Sequence, residues 1–259
     1  MAVAPDGVPV AYHVVGHGAP LLLVHGAGLS QVVWRGSGYV DALADRFRVI
    51  TIDLRGHGRS GKPADTTSYG ADRLASDPVA VLDQLGVASA HYLGYSLGAR
   101  VGFGLLDRHA DRIRSFVSLA GTYRSTAGGP ADVFFPDWHA AIEHGGMTEF
   151  VGRWARAQGG ALDAQTAAAF RRNDPAAMSA LLLAIDSDNG LAPTRLTKMT
   201  TPTLLLAGDR DESRASASRE AADRMPRASF AGLGDRDHAG SLGARDAVLE
   251  LAIPFLVGD

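Results

Sequence analysis

The sequence contains no cysteine, and that absence removes disulfides, thiolate nucleophiles and Cys-ligated zinc or iron–sulfur centres together. It leaves the redox compartment open. An excess of one charge is missing too: 25 basic residues stand against 28 acidic ones, net −3, so there is no electrostatic footprint for nucleic acid or an anionic membrane. No nucleic-acid partner is expected. The longest apolar runs, such as Leu21 to Val24 and Leu204 to Ala207, fall far short of the roughly 18 residues of a spanning helix. No membrane is expected either. The opening residues Met1-Ala2-Val3-Ala4-Pro5-Asp6 have neither the basic nor the apolar region of a secretory signal, which makes the cytoplasm the expected location.

What is present suits a globule with a sizeable core: 259 residues, 46% apolar and 20% charged, most simply one large α/β domain carrying an insertion. Short β-branched and leucine-rich runs fall at 10–15, 21–25, 47–52, 90–95, 113–119, 203–207 and 228–231. Helical patterns separate them near 38–46, 69–86, 96–109, 213–225 and 243–257. This alternation predicts a mostly parallel central sheet flanked by helices. In the last helix Val248, Leu251, Ala252 and Phe255 form the apolar stripe expected to dock on the sheet. Pro78, after Ser76-Asp77, predicts a break with Asp77 as a new helix cap.

Residues 122–195 lack β-branched runs and drop the alternation, so they are expected to form an inserted helical cap, with 1–121 and 196–259 as the core. Helical spacing relates Met147, Phe150, Val151 and Trp154, and again Met178, Leu181, Leu182 and Ile185 after Asp174-Pro175.

Gly94-Tyr95-Ser96-Leu97-Gly98 matches G-x-S-x-G. The match gains weight because an apolar strand precedes it and a helical run follows, the strand–turn–helix setting in which a serine stands clear of a sheet edge. A hydroxyl needs a base, and His238, in the Gly-rich run 232–240, is the one histidine beyond residue 144. The acid is expected after the strand at 203–207, where Asp209 and Asp211 compete; Asp211, farther along the loop, is the better placed. Asp235 and Asp237 also precede His238, and either could tune it. Donors for a developing oxyanion are expected from the N–H of Leu97, at a helix start, and of Ala27 in His25-Gly26-Ala27-Gly28. His25 itself reads as an anchor for its loop.

With those pieces in place the chain resembles the serine-dependent α/β-hydrolase fold family, and within it a small esterase-like member. The matching segments are His25 to Gly28, Asp53-Leu54-Arg55-Gly56-His57-Gly58-Arg59-Ser60, the Ser96 turn, Gly208 to Asp211 and the His238 loop. The resemblance implies hydrolysis without a cofactor or metal, with Ser96, His238 and Asp211 as catalytic triad and Ala27 and Leu97 as oxyanion hole. The charged run before His238 departs from the family's usual pattern.

The expected activity is cleavage of a carboxylic ester of a small to medium, mainly apolar small-molecule substrate. The same triad could serve a carbon–carbon bond hydrolase, a lactonase or a perhydrolase, and a non-catalytic ligand-binding protein could retain it. Trp34, Tyr95, Phe134, Trp138, Phe150, Trp154 and Met178 are the expected substrate contacts. No Lys or Arg is fixed by motif beside the serine except Arg100, one helical turn on, so charged acyl groups are expected to be poor. Three other patterns carry no site. Gly56 to Lys62 imitates a phosphate loop but ends on Pro63, His139 and His144 lie five apart with no zinc spacing, and no G-x-G-x-x-G follows a strand.

Overall fold

The computed structural model describes residues 1–125 and 129–258. A short antiparallel ribbon, β1 (Ala2–Val3) with β2 (Pro9–Val10), precedes β3 (Tyr12–Val15), β4 (Ala19–Val24), β5 (Phe47–Ile52), β6 (Ala90–Tyr95), β7 (Ile113–Leu119), β8 (Thr203–Ala207) and β9 (Ala228–Gly232). The last seven form one sheet in the order β3–β5–β4–β6–β7–β8–β9, parallel throughout except for β3 against β5. This is the α/β-hydrolase fold, as expected. Along β4, Leu21 and Leu23 enter one apolar cluster while Leu22 and Val24 enter the other. That two-sided burial is why the strand reads as a continuous apolar run.

The core helices are α1 (Val32–Gly36), α2 (Tyr39–Leu43), α3 (Ala71–Gln84) and α4 (Leu97–Arg108). A helical block follows β7, with α5 (Gly129–Val133), α6 (Trp138–Ala157, kinked at Gly146), α7 (Ala164–Arg171), α8 (Pro175–Ser187) and α9 (Pro193–Leu196). After β8 come α10 (Glu212–Arg224), α11 (His238–Gly243) and α12 (Arg245–Val257). The chain enters and leaves the helical block side by side, with Arg124 bridged to Gly190 and Leu191 N–H bonded to Tyr123 O at 2.8 Å. No described helix is long and apolar enough to cross a membrane.

Three local expectations need correction. Helix α3 runs unbroken through Pro78, and Asp77 caps nothing. Its carboxylate accepts Arg55 N at 2.8 Å, Nε at 3.0 Å and Nη2 at 2.7 Å. With Leu74, Ala75, Val81 and Leu82 buried on both sides of the proline, packing outweighs the roughly 3 kcal/mol that an interior proline costs. The docking stripe of α12 is Val248, Leu249, Ala252 and Leu256, while Leu251 is partly exposed. The helix is rotated by about one residue because it is apolar on nearly every side. His238 lies in the first turn of α11 rather than in an open loop.

Arg55 is wholly buried between Asp77, equally buried, and Asp6 at the tip of the β1–β2 ribbon. The pair ties α3, the ribbon and the segment after β5 together. Removing one partner from a buried pair strands the other charge, at about 3–5 kcal/mol. Asp77→Ala is therefore expected to lower unfolding free energy by that amount in urea titrations, and Asp6→Ala by clearly less. A loss under about 1 kcal/mol for Asp77→Ala would show that the pair does not bear on stability, and equal losses would overturn the ranking of Asp77 over Asp6.

Candidate active site

Strand order decides where the site forms. Strands β4 and β6 are neighbours with Val24 opposite Gly94, yet the chain leaves them towards opposite edges of the sheet. Their C-terminal ends therefore face one crevice. The segment 25–29 follows β4, and Ser96 follows β6 at φ 53°, ψ −112°, a strained conformation for a residue with a side chain. Room for it comes from glycine: a Cβ on Gly98 would lie 2.1 Å from Val24 O, and one on Gly94 would lie 2.5 Å from the Gly98 carbonyl.

The structure brings three of the sequence-selected side chains into one line. Ser96 Oγ lies 2.9 Å from His238 Nε2, and His238 Nδ1 lies 2.6 Å from Asp211 Oδ2. A carboxylate can only accept, so it fixes the proton on Nδ1 and leaves Nε2 bare to accept the serine hydroxyl. The hydroxyl is thereby aligned to lose its proton as the oxygen attacks. Asp209 is not part of the line. Its exposed carboxylate lies 3.8 Å from Arg219, and it does not cap its own turn. Asp237 caps α11 through Gly240 N at 2.7 Å, and Asp235 pairs with Arg210 on the surface.

Leu97 opens α4, so its N–H has no acceptor within the helix. The other predicted donor, Ala27, sits between Gly26, where a Cβ would be 3.2 Å from Ser96 Cβ, and Gly28, at φ +72°. Segment 25–29 thus rides against the serine, and two imidazoles hold it there. His57 accepts Gly28 N–H on Nε2 at 3.1 Å and has its Nδ1 2.9 Å from Arg55 O. Reciprocally, His25 accepts Leu54 N–H on Nε2 at 3.1 Å, with Nδ1 2.8 Å from Gly26 O. The rings meet edge to face at 4.9 Å. Asp53 braces the same region, accepting Gln31 N at 2.7 Å, Gln31 Nε2 at 3.0 Å and Arg59 N at 3.0 Å.

The helical block reaches this segment from above, a contact that no motif announces. Asn173, just past α7, donates from Nδ2 to Gly28 O at 2.8 Å. The Phe170 ring presses where a Gly28 Cβ would be, at 2.3 Å.

The expected substrate contacts fare unevenly. Trp34 is fully buried, edge-on to Tyr39 at 5.1 Å, in the apolar cluster that holds Leu21 and Leu23; α1 turns it into the core. Tyr95 supports the base instead, its hydroxyl donating to His238 O at 3.1 Å and its ring 5.4 Å from the imidazole. Phe134, Phe150 and Trp154 join Phe170 in an aromatic cluster. Phe150 and Met178 are completely covered, and Trp138 nearly so. Phe134, Trp138, Phe150 and Met178 are part of the inner packing of the helical block, and Trp154 is half-buried at its edge. Arg100 points away from the serine, bound to Asp188 and to Arg124 O.

Comparisons with known proteins agree with the fold. The family model described as alpha/beta hydrolase fold matches residues 19–144. The chain is 34% identical over 131 residues to the 2-hydroxymuconate semialdehyde hydrolase of Pseudomonas sp. (strain CF600), covering 50% of this chain and 43% of that one. It is 37% identical over 107 residues to the pimeloyl-[acyl-carrier protein] methyl ester esterase of Aeromonas hydrophila, covering 41% and 39%. The matches thus span about two fifths of the length of these curated relatives. The crystal structure of the enol-lactonase from Burkholderia xenovorans LB400 superposes with a TM-score of 0.82 at 25% identity, over 99% of this chain and 100% of that one.

Burial, reinforced by the neighbouring His25, holds His57 down to a pKa of about 3, and burial likewise lowers His25. Unfolded imidazoles protonate near 6.5, so unfolding takes up protons between that pH and about 3 for His57. Stability is accordingly expected to hold above pH 6.5 and to fall below it, by about 1.4 kcal/mol per pH unit for His57, with His25 adding in the same direction. Urea titrations from pH 7.5 to 4.5 measure this, and a flat profile would contradict two neutral, buried acceptors.

Proposed function

We propose that this chain, which has the α/β-hydrolase fold, is a serine hydrolase cleaving a carboxylic ester of a small to medium substrate through an acyl-enzyme. The reading rests on one observation, the unbroken line from Ser96 Oγ through His238 to Asp211, 2.9 and 2.6 Å, at a strained turn. His238 takes the hydroxyl proton as Ser96 Oγ attacks the carbonyl carbon, and the C=O electron pair moves onto oxygen, where the N–H groups of Ala27 and Leu97 receive it. Collapse expels the alcohol with the proton from His238 and leaves acyl-Ser96. Water then gives a proton to His238 and adds to the acyl carbon; Ser96 departs with that proton, and the acid is released. Nothing is oxidised or reduced. In this reading residues 122–195 are the cap over the site, and the acyl chain lies against apolar side chains.

A cyclic ester undergoes the same steps with alcohol and acid leaving as one molecule, and the likeness to an enol-lactonase favours including lactones. Carbon–carbon cleavage and peracid formation are the rival reactions for the same three residues.

Ser96→Ala is expected to lower kcat by about 10⁴ to 10⁶ with folding intact, as triad losses do. A fluorophosphonate should label Ser96 and no other serine. Asp211→Asn should cost orders of magnitude, whereas Asp209→Asn should change little. Across p-nitrophenyl esters from acetate to hexanoate, kcat/KM is expected to climb by up to about fourfold per methylene. A Ser96→Ala enzyme retaining a tenth of the activity would refute the nucleophile; a flat series alongside turnover of a β-diketone would move the reading to carbon–carbon cleavage.

A further inference from the structure

Tyr95 sits where three parts of the site meet. It ends β6, one residue before Ser96, and is buried in the apolar cluster that also holds Leu93 and Leu242. Its hydroxyl donates at 3.1 Å to the carbonyl of His238, the first residue of α11. Its ring lies 5.4 Å from the imidazole, with the two planes 33° apart, well within aromatic contact. The same ring meets segment 25–29: a Cβ on Gly26 would lie 3.0 Å from Tyr95 Cδ1 and 3.1 Å from Cε1. One side chain therefore touches the base and the residue before Ala27. Burial pushes the phenol above its ordinary range, so the hydroxyl stays protonated and remains a donor while the enzyme works.

The helix that Tyr95 holds is short, running only from His238 to Gly243, and three hydroxyls tie it to the core. Tyr39 donates to Leu242 O at 3.0 Å, and Ser241 Oγ accepts Gly208 N–H at 3.2 Å. Of the three ties, only the one from Tyr95 reaches the residue that carries the imidazole. The geometry points to Tyr95 as a positioning residue that sets the base against both the serine and the oxyanion segment. This rests on the hydrolase reading above and adds a residue to it. The hydroxyl fixes the main chain from which the imidazole hangs, so that Nε2 meets Ser96 Oγ at 2.9 Å. The ring is the packing that the imidazole and Gly26 share, and with only two torsions it keeps a fixed spacing where an aliphatic chain would give way. A misplacement of about 1 Å at such a site can cost about 100-fold in rate.

The test compares Tyr95→Phe with Tyr39→Phe, which removes the matching hydroxyl from the other end of the same helix, using p-nitrophenyl acetate. The two variants are expected to lose similar stability in urea titrations. In Tyr95→Phe, kcat is expected to fall by about 3- to 10-fold, the value of one hydrogen bond, with KM unchanged; in Tyr39→Phe it should stay near wild type. Tyr95→Leu, which removes the ring as well, should lose about 100-fold, and the two phenylalanine variants decide the matter if it does not fold. A kcat loss of equal size in both phenylalanine variants, or none in Tyr95→Phe, overturns the proposal, as does a loss confined to KM. Proton NMR of the resting protein needs no substrate and so separates this from the hydrolase reading. The low-field Nδ1–H signal of His238, assigned by its loss in Asp211→Asn, is expected to broaden in Tyr95→Phe and to stay sharp in Tyr39→Phe. That result supports the positioning role even if the wild type turns over no ester. An unchanged signal in Tyr95→Phe overturns the role and leaves the hydrolase standing.

Discussion

Two neutral imidazoles carry the architecture of the site. Each stands at the head of one loop and accepts an N–H from the other: His57 from Gly28, His25 from Leu54. Neither bond can form if the ring is protonated, since an imidazolium has no free lone pair, so burial that keeps the rings neutral also keeps the loops joined. Everything nearer the serine inherits its position from that exchange. Segment 25–29 lies against Ser96, Asp53 fixes the far end of the segment through Gln31, and Arg55, one residue beyond Leu54, carries the connection down to Asp77.

The serine turn solves a different problem. A side chain at positive φ beside a packed strand needs space that ordinary residues would occupy, and Gly94 and Gly98 give it up on either side. The strain is held because β6 lies between β4 and β7 with every residue buried. A flexible turn would relax; this one has nowhere to go. The nucleophile candidate is thus set by the sheet, the base candidate by the start of a short helix and the acid candidate by a loop, and three rigid supports meet at hydrogen-bonding distance.

Much of this was legible in the sequence, for identifiable reasons. The strands at 47–52, 90–95, 113–119 and 203–207 stood out because buried parallel strands are apolar throughout. The G-x-S-x-G spacing was legible because close backbone approach admits only glycine at those positions. What stayed hidden depends on contacts distant in sequence. Asp77 before Pro78 has the local grammar of a helix cap, and only Arg55, 22 residues away, recruits its carboxylate. Trp34 looked like a pocket residue because nothing local says which face of α1 turns inward. Phe150 and Met178 follow helical spacing, but spacing cannot distinguish a wall from a filling.

Gly28 is held by both of its peptide groups, its N–H by a histidine of the core and its carbonyl by Asn173 of the helical block. One peptide group therefore joins the core to the helical block: whatever displaces the end of α7 pulls on a carbonyl one residue from Ala27, and the pull is resisted through the same residue's N–H by His57.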